Sequence, residues 1–143
     1  METESIPVGR TRAEVRAREK LIKDFYSHWI SEHPNKKVWN HSLGAYICVK
    51  YISINETKEK AARSIESTLA VFQLTEVLRR AVKVGEQFGK RNVRNQKQFV
   101  KMIIMEFGNV KLTVGEQRST QEYVQYCVTV PVKTNKNKAT TEE

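Results

Sequence analysis

The chain has 143 residues, the size of a single domain with one hydrophobic core, and its Gly and Pro are too sparse for a fibrous or linker-built protein. Its apolar share of 39% is broken everywhere by charge, which excludes a bilayer-spanning run and an N-terminal signal peptide and points to the cytoplasm. Lys and Arg number 25 against 16 acids, a net charge of +9 that favours polyanionic partners.

Residues 1–10 read as a flexible arm. Thr11 and Glu14 then have the spacing of a capping box. Behind them Val15, Leu21, Ile22, Phe25, Trp29 and Ile30 recur at steps of three and four, which predicts an amphipathic helix that Pro34 ends. Val38-Trp39 and Ala45 to Tyr51 read as two short strands around a turn at His41 to Gly44. A second capping box at Ser53 and Glu56 opens a helical stretch that runs to Ala81, as one long helix or as two with a bend at Ser67-Thr68. From Gly85 through Gln96 no hydrophobic period is visible, and the segment reads as a loop.

Phe99 to Phe107, Val110 to Val114 and Tyr123 to Val130 carry the clearest strand pattern. Gly108-Asn109 fits a two-residue hairpin turn. That turn sets Phe107 against Val110, Met105 against Leu112 and Ile103 against Val114, with Glu106 opposite Lys111 on the other face. Residues 133–143 are polar and read as a disordered tail. The expected architecture is a single α+β domain over residues 11–132. Its N-terminal helices pack on one face of an antiparallel sheet that ends in a three-stranded meander.

Charge is concentrated in one window. Arg79, Arg80, Lys83, Lys90, Arg91, Arg94, Lys97 and Lys101 stand there against the one acid Glu86. These eight are the candidate nucleic-acid-binding residues, for RNA ahead of DNA. An acidic protein is the alternative partner, and an ordinary solvated loop the plain alternative. No membrane partner is expected.

Catalytic signals are sparse. Fifteen of the sixteen acids are Glu, whereas clustered Asp is the common carrier of magnesium-dependent phosphoryl chemistry. Gly85 to Arg91 is one residue short of a phosphate loop, with Arg91 where a magnesium-binding hydroxyl belongs. Cys48 and Cys127 form no C-x-x-C pair and read as buried thiols. No cofactor or metal is therefore expected. His28 reads as a helix-edge residue and His33 as a solvated one. His41, in a turn between strands, is the candidate general base, although a plain turn residue has the same signature. Metal-free RNA cleavage would take its base from His41, its acid from Glu106, Tyr123 or Tyr126, and its phosphate-binding cations from Arg91, Arg94 or Lys97. The two tyrosines alternate across one strand, so at most one can line a given surface.

Asn40 to Gly44, the helix end Thr68 to Ala81, and Val110 to Val114 with Tyr123 to Tyr126 together resemble a known pattern. It is that of the small domains associated with large polyvalent proteins of phages and conjugative elements. The resemblance implies the barnase, EndoU, colicin and RelE type of ribonuclease fold, in which helices precede an antiparallel sheet whose open face meets RNA. It implies neither activity nor inactivity, because function resides in the site and not in the fold.

Overall fold

The computed structural model describes residues 6–89 and 96–131. Lys90, Arg91 and Arg94 of the basic window, and the tail 133–143, lie outside the described residues.

Helix α1 (Arg12–Glu32) starts at the expected capping box: the Thr11 hydroxyl accepts from the Glu14 amide, and the Glu14 carboxylate accepts from the Thr11 amide. Its buried stripe is Arg18, Ile22, Tyr26 and Trp29. Arg18 is held in that stripe by two bonds to carbonyls, Nε donating to Ala62 at 2.8 Å and Nη1 to Pro7 at 2.6 Å, while its Nη2 is buried without a partner among the described residues. These bonds tie α1 to the following helices and to the segment before it.

Strands β1 (Lys37–Asn40) and β2 (Ala45–Cys48) form an antiparallel pair in which Trp39 faces Tyr46. The second strand is shorter than its sequence suggests. Its ladder to the meander lasts only two residue pairs, and Tyr51 already opens helix α2 (Tyr51–Ala61). Ser53 is consequently inside the helix and not its cap. Its hydroxyl accepts from the Lys50 amide and donates to the Gln125 carbonyl. Three helices fill the stretch where one or two are expected, because Ser64 caps α3 (Ile65–Val71) and the chain turns again at Phe72-Gln73 before α4 (Leu74–Arg80).

The segment expected as a loop is, over its first part, strand β3 (Val82–Phe88), paired antiparallel with β4 (Phe99–Phe107). It has no hydrophobic alternation because nearly every side chain is exposed, so only its backbone bonds record that it is a strand. Strands β5 (Val110–Gln117) and β6 (Tyr123–Thr129) complete the meander, in the register expected from the Gly108-Asn109 turn. Gly108, at φ +61°, occupies the left-handed region where a Cβ is costly.

The six strands run β1-β2-β6-β5-β4-β3, and the β2–β6 pair is parallel. The sheet is thus mixed where an antiparallel one is expected, and the fold is α+β. Beyond Val124 the outer edge of β6 is covered by helices: Ser53 bonds the Gln125 carbonyl, and the Ser67 hydroxyl accepts from the Val130 amide at 2.7 Å. The main core lies between the helices and one sheet face. It joins Ile22, Tyr26, Leu74 and Leu78 to Ile103, Met105, Leu112, Val114 and Val128. A smaller cluster of Phe99, Met102, Val124, Tyr126 and Cys127 occupies part of the other face. Tyr126 is the extra residue of a bulge in the β5–β6 ladder, and Tyr123 packs against the main core, so the two tyrosines do serve opposite faces.

Candidate nucleic-acid interface

The site is built around Asn40, the last residue of β1, whose side chain is completely buried. Its amide nitrogen donates to the carbonyls of Leu78 at 2.8 Å and Ala81 at 3.0 Å, and its oxygen accepts from the Leu43 amide at 2.8 Å. One side chain therefore closes the β1–β2 turn and fastens it to the junction between α4 and β3. Two backbone donors reinforce the seam: His41 N–H to the Arg79 carbonyl, and Lys83 N–H to the Ser42 hydroxyl at 3.0 Å. The sheet curls enough for the tip of its first hairpin to reach the start of its last strand.

That seam brings His41 beside Arg79, Arg80 and Lys83, all of them exposed. On the hairpin itself Trp39 and Tyr46, each 49% exposed, meet edge to face with ring centroids 5.1 Å apart. The Lys37 ammonium lies 4.6 Å from the Tyr46 centroid, a cation–π contact. An exposed Trp–Tyr pair is a larger apolar feature than a surface residue needs for folding. The strand pattern includes Trp39 without marking it as a site residue. The signal was available, because a turn closing on Asn40 and Ala45 necessarily sets Trp39 against Tyr46.

The cations of the basic window are partly engaged by the protein's own acids. Arg79 and Arg80 both pair with Glu76, at 2.9 and 3.2 Å. Lys83 and Lys101 both pair with Glu86, at 2.7 and 3.5 Å. The two ammonium groups hold the Glu86 carboxyl below the usual carboxylate range, the Lys83 hydrogen bond being the larger cause. Each glutamate is shared by two bases, so both clusters keep one net positive charge. The pairs are exposed and exchange readily with other anions. Lys97 is exposed near the start of β4.

The three candidate catalytic residues are not brought together as a set, although Glu106 pairs with Val82, one residue from the Lys83–Ser42 bond beside His41. Tyr123 packs on the helix-bearing face at the start of β6. Glu106 is exposed near the end of β4, level with Lys111 and Thr129 across the ladder. Along β6 alone, Thr129 and Tyr123 are six residues apart, about 20 Å. No hydrogen bond or ion pair joins His41, Glu106 and Tyr123 among the described residues. Glu106 faces Lys111 in register, and no ion pair forms between them. His28 pairs with Glu32 on the outside of α1. His33, expected to be solvated, instead stacks on Trp29 with centroids 4.0 Å apart and bonds the Trp29 carbonyl.

Both thiols are shielded. Burial pushes the Cys127 thiol up to about 11 and also raises Cys48. Burial likewise pushes the Tyr126 phenol up to about 12, reinforced by the neighbouring Glu56 carboxylate. Among the described residues no helix is long and apolar enough to cross a membrane.

No curated protein and no solved structure matches the chain. The family model of large polyvalent protein-associated domain 3 matches residues 17–126, from the first helix to the last strand. The chain belongs to the large polyvalent protein-associated domain 3 family.

Proposed function

We propose that this domain engages nucleic acid, RNA ahead of DNA, through the surface formed by the β1–β2 hairpin and the α4–β3 junction, as one module of a large polyvalent protein of a mobile element. The observation that carries the reading is the buried Asn40 anchor. It fastens the hairpin that carries an exposed aromatic pair to the junction that carries Arg79, Arg80 and Lys83, in a chain whose net charge is +9. Aromatic faces beside cations match the two chemistries of a polynucleotide, its bases and its phosphates.

The test is a titration of a labelled single-stranded oligoribonucleotide over a series of salt concentrations. With about three phosphates contacted, log K is expected to fall with log salt at a slope of about −2. Arg79→Gln should reduce the steepness by about 0.7. Failure to bind RNA or DNA at low ionic strength would overturn the reading.

A protein-docking module is the second reading, favoured by the glutamate partners of four basic residues and by the largely exposed side chains of β3. An acidic partner that co-purifies with the domain, without bound nucleic acid, would favour it. A metal-independent ribonuclease requires an acid and a base within reach of one phosphate; Glu106 pairs with Val82 at the edge of the His41 seam, whereas Tyr123 lies about 20 Å along the sheet from Glu106. RNA cleavage in EDTA, lost in His41→Ala with the fold intact, would favour that activity.

A further inference from the structure

We infer that the Trp39–Tyr46 pair is a stacking platform for unpaired bases, which makes the ligand of this surface single-stranded and not duplex RNA. The inference rests on the reading above and narrows its substrate class.

The two rings are half exposed and sit side by side on adjacent strands, so their positions are fixed by a backbone ladder and not by mobile loops. The rings meet edge to face, and about half of each residue's surface remains open to solvent. Val38 and Ile47, the opposing pair on the other face of the hairpin, point into the core, so the platform cannot roll inward without opening that core. The charge at the platform is positive: Lys36 and Lys37 precede Trp39, both exposed, and Lys37 already sits over the Tyr46 ring. A base laid on these rings would bring its phosphate to the ammonium groups. In a duplex the base faces are stacked on each other and closed to side chains, so the same rings offer little to paired RNA. Stacking on aromatic rings tolerates any base, which predicts binding with weak sequence preference.

Tryptophan fluorescence reads this directly. The chain has two tryptophans; Trp29 is buried and donates its indole N–H to Thr75, whereas Trp39 is exposed. A dye-labelled single-stranded oligouridylate and a dye-labelled blunt RNA duplex of equal length are titrated with the parent chain, Trp39→Ala, Trp39→Phe and Tyr46→Ala, with affinity read from the dye's anisotropy and Trp39 quenching followed in the chains that keep it. The expected result is quenching by the single strand in the parent, with duplex affinity at least about ten-fold lower. Trp39→Ala and Tyr46→Ala should each lose about ten-fold in single-strand affinity, with most of it kept in Trp39→Phe. Thermal melts of the variants verify that each remains folded. Equal affinity for strand and duplex, or alanine variants that bind the strand as the parent does, would overturn this inference and leave the broader reading standing. A parent that binds neither RNA would overturn both. So would a parent that self-associates through these rings, with Trp39→Ala restoring the monomer and RNA binding absent.

Discussion

Asn40 carries more structure than any other single polar residue at the site. It satisfies the carbonyls of Leu78 in α4 and of Ala81, between α4 and β3, from a fully buried position. Asn40→Ala leaves those carbonyls without their donor, at a cost of about 1–3 kcal/mol that urea unfolding will detect. The same variant should loosen the hairpin and weaken RNA binding. The thiols give a second residue-scale expectation. With its thiol pushed up to about 11, Cys127 should resist alkylation at pH 8 until the chain unfolds, while half-buried Cys48 reacts slowly in the folded state. Three carboxylates set the acid side. Hydrogen bonds from Thr11 lower Glu14, Lys83 lowers Glu86, and Lys50 lowers Glu122. Folded values below the ordinary 4.5 mean that their contribution is present at neutral pH and disappears as the pH falls through the depressed values. Thermal melts between pH 6 and pH 3 should show a falling Tm, with part of the fall absent in Glu14→Gln. On the alkaline side Tyr126 and Cys127 act in the opposite sense, stabilising below their ordinary values of 10.0 and 9.0 and losing that contribution as the pH rises toward 12 and 11.

The elements differ in how much of themselves they wrote into the sequence. The register of the β4–β5 hairpin was legible, because an alternating apolar face and a Gly turn together permit one register, but the run of β5 past Val114 to Gln117 and the ladder's irregularity at Phe99 were not. Helix α1 was legible from its cap and stripe. Strand β3 was not, since Val82, Val84 and Phe88 are exposed and its Gly85 carries no pattern; pairing with β4 supplies its order. The start of α2 was misplaced because Val49 and Tyr51 continue the alternation of β2, although only Val49 is buried. Of the site, the basic junction and the His41 turn were visible as separate signals. Their joining through Asn40 was not, because the contact spans 38 residues to Leu78. Packing on the second sheet face makes its own prediction. A Cβ at Gly115 would stand 2.6 Å from the Phe99 ring, which is fully buried. Gly115→Ala should therefore cost about 1–3 kcal/mol in chemical denaturation, by overpacking.

At the scale of the whole molecule the question is how a charge of +9 is presented. Four of the five described cations of the basic window are engaged by the protein's own acids, with Glu76 and Glu86 each holding two of them. Such exposed pairs contribute about 0–1 kcal/mol to folding, so their consequence is chiefly for the field outside the protein. Glu76→Gln should leave the Tm within a few degrees and tighten RNA binding several-fold at low salt, by releasing Arg79 and Arg80. The most direct test of the central claim is ultraviolet cross-linking of the intact chain to single-stranded RNA, followed by peptide mapping. The account predicts adducts on the peptides that carry Trp39 and Tyr46. RNA that binds yet cross-links only elsewhere, with both of these peptides unmodified, would contradict it.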